Sequence, residues 1–138
     1  MGNHEEVDFG ALQKTAGPYP LEAFEFVREG LGFTVEQLQQ IRGEPLIMGD
    51  EEDRHVSGQE LCLGLRDFAI RQYGLMAPAV LHHWNVRRTS DFGRIVFAMI
   101  DYGLMRKNDR DSIEDFQDVF DFDIEFDRDR VLAMLSSN

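Results

Sequence analysis

Val119-Phe120-Asp121-Phe122-Asp123-Ile124-Glu125-Phe126-Asp127 decides how this chain of 138 residues is built. Phe120, Phe122, Ile124 and Phe126 alternate with carboxylates, the period-two pattern of a half-buried strand. Residues 103–107 are available as an antiparallel partner across the polar turn 108–112. Read otherwise, residues 112–119 make a helical turn capped by Ser112 with Asp115. The strand reading closes the chain with a β-ribbon.

Upstream of this stretch the spacing is helical. Ser90 reads as the cap of a helix through Tyr102, with Phe92, Ile95, Val96, Met99 and Ile100 on one stripe and Gly103 as its stop. A turn at 85–89 separates it from a short helix that Pro78 starts and Trp84 ends. Before that, Gly58–Tyr73 carries Leu61, Cys62, Leu65, Phe68 and Ala69 on one side and Leu63 and Ile70 on another, as expected of a central helix. Ser57 with Glu60 forms its capping box, and Val56 with Leu61 the hydrophobic staple.

Thr34 with Gln37, flanked by Phe33 and Leu38, repeats the same pair of signals. This reading starts a short helix over 35–41 and ends the preceding one, led by Pro20, at Gly30 and Gly32. Residues 8–15 read as a short opening helix. Pro45, Gly49 and Asp50-Glu51-Glu52-Asp53 mark 44–56 as a solvated loop.

Helix, short helix, turn, helix and ribbon is the order of a winged helix-turn-helix, with residues 100–107 as the junction from recognition helix to wing. The expected fold is therefore mainly α: a compact helical domain with a small C-terminal β-ribbon and a winged-helix-like C-terminal half. Residues 1–138 read as a single globular domain, with N-terminal helices and acidic loop over 1–56 and the winged-helix-like part over 57–138.

The chain also resembles a family of short hypothetical proteins found mainly in planctomycetes and verrucomicrobia. The residues that carry this are Tyr19-Pro20-Leu21-Glu22-Ala23-Phe24, His55-Val56-Ser57-Gly58-Gln59-Glu60-Leu61, and Trp84 to Arg88. Thr89-Ser90-Asp91-Phe92-Gly93 leading into Ile95-Val96-Phe97 adds to them, as do Asp115-Phe116 and Val119-Phe120-Asp121-Phe122. The resemblance spans most of the chain and implies kinship; no activity, cofactor or catalytic residue comes with it.

Composition narrows the functions. With 43% hydrophobic residues and 11 Phe, the chain can bury a core and is not a disordered polymer. Cys62 is the one cysteine, which excludes an internal disulfide and Cys-based zinc sites. Residues 1–8 lack the basic apolar stretch of a signal peptide, and no apolar run has the length of a membrane span, so a cytoplasmic location is expected.

Net charge is −12, unevenly spread. Residues 1–55 balance at −8 and 108–138 at −7, whereas 87–107 balance at +3. Such a field repels nucleic acid and anionic membranes. The exception is a basic island of Arg87, Arg88, Arg94, Arg106 and Lys107. In a winged-helix arrangement these could meet phosphates; alternatively they balance the acidic segments or meet a protein partner.

Other candidate chemistry is thin. Asp121, Asp123 and Glu125 are spaced like the start of a calcium loop, but Phe126 and Leu132 stand where that loop needs Gly and Glu. His82 and His83 are adjacent and point about 100° apart on a helix, so they cannot chelate one ion together. Cys62 lies on a buried stripe, as an inert packing thiol does. No phosphate-binding loop, nucleophile elbow or zinc-protease helix is present. No catalytic residue, metal ligand or cofactor is therefore assigned. The expected function is a non-enzymatic interaction module that binds another protein, or itself, through the basic island or an apolar face. A nucleic-acid-binding regulator is the alternative, disfavoured by charge for duplex, and an enzyme comes third.

Overall fold

Short polar side chains placed just before apolar stripes set most of the helix starts in this protein. The computed structural model describes residues 8–43, 56–106 and 111–137. Along the chain come α1 (Phe9–Ala16), α2 (Leu21–Arg42), α3 (Gly58–Tyr73), a 3-10 turn (Gly74–Met76) and α4 (Ala77–His83). Then follow α5 (Thr89–Asp101), a second 3-10 turn (Ile113–Phe116), α6 (Phe122–Glu125) and α7 (Arg128–Ser136). Asp8 accepts from the Ala11 N–H to start α1. Ser57 accepts from Glu60 N–H at 3.0 Å while Glu60 accepts from Ser57 N–H at 3.0 Å, the expected capping box of α3. Ser112 and Asp115 cap the second 3-10 turn in the same way, so the helical reading of that segment is the right one. The acidic loop expected over 44–56 lies almost wholly outside the described residues.

The expected break at Gly30–Thr34 does not occur; α2 runs unbroken for 22 residues. Thr34 is not a cap. Its hydroxyl donates to the Gly30 carbonyl at 2.7 Å, one turn back, and the side chain is buried. The reason lies on α3. A Cβ at Gly64 would collide with the Thr34 side chain, and one at Gly30 would collide with Leu65. Two glycines, one on each helix, let the α2 and α3 backbones approach closely, and that gain outweighs the roughly 1 kcal/mol that a mid-helix Gly costs. Among the described residues, no other two elements meet along as much of their length.

Buried apolar residues form one cluster. Phe26 of α2 lies near its centre: its ring centroid is 5.3 Å from Phe68, 5.5 Å from Trp84 and 6.5 Å from Phe92. It thus joins α2, α3, α5 and the end of α4 through offset ring contacts. On α5 the expected stripe is inside, with Phe92, Ile95, Val96 and Met99 all buried. Its start differs from the expected Ser90 cap. The helix begins at Thr89, and the Asp91 carboxylate reaches back to the N–H groups of Arg87 and Arg88 at 2.8 and 3.2 Å. Thr89 is then free to hold the following segment. Its hydroxyl donates to the Phe116 carbonyl at 2.7 Å and accepts from the Val119 N–H at 3.1 Å.

The C-terminal ribbon is corrected. Among the described residues there is no strand, so neither a ribbon nor a wing exists there, and the winged-helix-like assignment of 57–138 falls with it. Asp121 instead caps α6 by accepting from Asp123 N–H at 2.8 Å. Phe122 and Phe126 are then one helical turn apart, with ring centroids at 5.2 Å, and Phe122 packs on Phe92 of α5 at 5.9 Å. Phe120 joins from outside the helix at 5.3 Å from Phe122. Ile124, the remaining member of the alternation, is 55% exposed. The carboxylates have separate duties: Asp121 and Asp127 are caps, and Glu125 pairs with Arg66 at 3.0 Å and Arg130 at 3.2 Å. The expected partner strand is used differently too. Leu104 N–H bonds back to the Met99 carbonyl at 2.8 Å, which closes the end of α5. Lys107 lies outside the described residues.

Candidate functional site

The basic island is divided by the fold. Arg87 and Arg88 sit in the turn that enters α5, and Arg94, also exposed, follows less than two turns further along. Arg106 follows the far end of the helix, whose 13 residues rise about 20 Å. The structure therefore gathers Arg87, Arg88 and Arg94 around the first half of α5 and sets Arg106 a helix length away.

The turn that presents Arg87 and Arg88 is anchored from beneath. Tyr19, buried, donates from its hydroxyl to Asp91 Oδ1 at 2.5 Å, and Asp91 Oδ2 takes the two backbone N–H groups. Burial, then the hydrogen bond and charge of Asp91, push the Tyr19 pKa well above the ordinary tyrosine value, while Arg94 pulls weakly the other way. Asn85, in a left-handed conformation at φ 65°, donates to the Pro18 carbonyl at 2.9 Å. Above this frame Arg87 Nη1 lies 3.1 Å from Nδ1 and 3.3 Å from Nε2 of His82, donating to whichever ring nitrogen is unprotonated, and Nη2 donates to Asn85 Oδ1 at 3.3 Å. Among the described residues no carboxylate ion-pairs with Arg87 or Arg88, whereas Arg42 pairs with Glu60, Arg66 with Asp67 and Glu125, and Arg130 with Glu125.

The remaining candidates are structural. No group of three or more His, Cys, Asp or Glu among the described residues is placed to hold a metal ion. Of the carboxylates that imitate a calcium loop, Asp121 caps α6, Asp123 is exposed and Glu125 is the partner of two arginines. Cys62 is fully buried and burial pushes its thiol up to about 12, so it is a packing group. No helix among the described residues is long and apolar enough to cross a membrane.

A second surface comes from residues that the sequence pattern did not single out. α7 puts Val131 and Met134 inward, yet Leu132 and Leu135, three apart on its outer side, are 39% and 42% exposed. Leu135 comes within van der Waals reach of the Gly74 position, so α7 rests on the 3-10 turn that follows α3. That turn exposes Leu75 to 46% and Met76 to 61%. Two large apolar residues between Gly74 and Pro78, where a connection is normally polar, are the sequence signal that could have found this edge. The result is an apolar edge built from two neighbouring elements.

No family model matches the chain, and neither the curated proteins nor the solved structures contain a match to it.

Proposed function

We propose that this chain is a non-enzymatic interaction module that binds another protein through the apolar edge of Leu75, Met76, Leu132 and Leu135. The observation that carries the reading is contiguity. Isolated exposed apolar residues are ordinary on any protein, whereas a cluster formed by two adjoining elements marks a surface that gains from being covered. The same elements bury Ala77 and Val131, so their apolar content is not merely left over from a polar surface.

The alternative, duplex nucleic acid on Arg87, Arg88 and Arg94, lacks a wing among the described residues, and Asp91 and Asp101 ride on the same helix. Comparison of proteins retained from the native cell by wild type, by a Met76→Ser, Leu135→Ser variant and by an Arg87→Glu, Arg88→Glu variant tests the choice. Loss of a retained protein with the first variant and its retention by the second supports the apolar edge. The reverse pattern contradicts it.

A further inference from the structure

The apolar edge is only as permanent as the docking of α7. Of the 9 residues of this helix Val131 alone is buried and Met134 half-buried, whereas most of the inward stripe of α3 is fully enclosed. So short a helix is also marginal in water unless it packs on something. What it packs on is small. Among the described residues α7 rests chiefly on the 3-10 turn Gly74–Met76, with lesser contacts to α3 and α6. Leu135 Cδ1 lies 3.9 Å from where a Gly74 Cβ would stand. The α2–α3 pair, by contrast, is interlocked at Gly30 and Gly64.

A shared carboxylate crosses the joint. Glu125, at the end of α6, accepts from Arg66 of α3 at 3.0 Å and pairs with Arg130 of α7 at 3.2 Å, and its side chain is only 17% exposed. α6 has its own anchor, because Phe122 packs on Phe92 of α5 and on the buried Phe126. Glu125 therefore ties a helix with little burial of its own to two elements that are held independently of it.

A segment with few buried apolar contacts and a largely solvated surface opens at lower cost than the core beneath it. We propose that α7 undocks as a unit while the packing of α2, α3 and α5 stays formed, that Glu125 is the clasp which holds it down, and that the apolar edge is in consequence a switchable surface. Leu132 and Leu135 leave with α7 while Leu75 and Met76 stay on the turn, so the four residues adjoin only in the docked state. The undocking itself needs no partner. Its consequence for binding rests on the docking reading above: a protein that recognises the assembled edge binds only the docked fraction and holds α7 shut.

Native-state amide hydrogen exchange on the full chain, with no partner present, tests this, and its outcome does not depend on whether the edge binds anything. Amides 132–136 should exchange through an opening with weak denaturant dependence, and those of Leu65 and Ile95 through one with the steep dependence of global unfolding. Glu125→Gln should speed amides 132–136 by about three- to tenfold. Tyr19→Phe weakens a contact that survives when α7 undocks. It should speed Leu65 and Ile95 by about fivefold or more and leave amides 132–136 unchanged. Melting curves show that both variants remain folded. If Tyr19→Phe speeds both groups of amides alike, α7 opens only with the whole core and the proposal falls. If Glu125→Gln leaves amides 132–136 unchanged, Glu125 is no clasp and the proposal falls at that point.

Discussion

The Tyr19 hydroxyl and Asp91 Oδ1 lie 2.5 Å apart, joining the segment before α2 to the first turn of α5 across 72 positions of sequence. Asp91 is thereby a junction. One oxygen serves a side chain from far away, and the other serves the two backbone N–H groups that would otherwise be orphans at the start of α5. A buried carboxylate persists only where its lone pairs are used in this way.

Tyr19→Phe removes one of these bonds while preserving the ring, and should cost about 1–3 kcal/mol in denaturant unfolding. It also changes the pH dependence. The folded pKa of Tyr19 is raised from an ordinary 10.0, and that of Cys62 is raised from 9.0 to about 12. The native state therefore holds these protons more tightly than the unfolded chain. Their stabilising effect is complete below the unfolded values and is lost as pH climbs through the window up to the folded ones. Wild type should lose melting temperature as pH rises above about 9, more steeply than Tyr19→Phe. Parallel slopes for the two proteins would contradict the buried bond.

Gly64→Ala should destabilise by about 1–3 kcal/mol, because its methyl group meets Thr34 on α2. The penalty should shrink, without vanishing, when Thr34 is Ala as well, since the two nearest colliding atoms, Oγ1 and Cγ2, are then gone and only Cβ remains. Four melting curves complete the cycle. Additive effects of the two substitutions would place the α2–α3 contact elsewhere.

The same pair of residues explains where the sequence could and could not be read. Ser57 and Glu60 form a cap because everything they need is local, and the start of α3 was accordingly legible, as was its Gly58–Tyr73 extent. Thr34 and Gln37 carry the same signature, but the outcome there depends on Gly64, thirty positions away, and no local pattern holds that information. At the C-terminus the alternation of Phe120, Phe122, Ile124 and Phe126 has two sources. One is a pair of phenylalanines a helical turn apart, and the other is caps at Asp121 and Asp127. Periodicity cannot separate those from a strand. For the site, Arg87 and Arg88 were visible as charge, but their separation from Arg106 by the length of α5 required the fold. Leu132 and Leu135 looked like ordinary helix residues, because exposure is decided by what α7 packs against.

Cys62 should resist a thiol-specific reagent in the native protein at pH 8 and react at once in denaturant. It is fully buried and its thiolate is strongly disfavoured. Under native conditions the labelling rate should follow the opening of the core, and should rise in a destabilised variant such as Leu65→Ala. Rapid labelling of folded wild type would contradict the placement of Cys62 inside α3's packed face.

Random duplex DNA should show no measurable binding at physiological salt, with a dissociation constant weaker than about 100 μM. The exposed arginines at the start of α5 are too few against the field of the whole chain, and no wing among the described residues adds donors. Fluorescence anisotropy with labelled duplex measures this. Micromolar binding abolished by Arg87→Glu with Arg88→Glu would reverse the ranking of the two surfaces.

The claim that the apolar edge is the binding surface is tested most directly by photocrosslinking in the native cell. A photoreactive residue is placed at Met76, at Leu135 or at Arg88, one site at a time. All three side chains are exposed, so the label should not disturb the fold. The account predicts one and the same adduct from positions 76 and 135, and none of it from position 88. An adduct from position 88, with nothing from the other two, would contradict it.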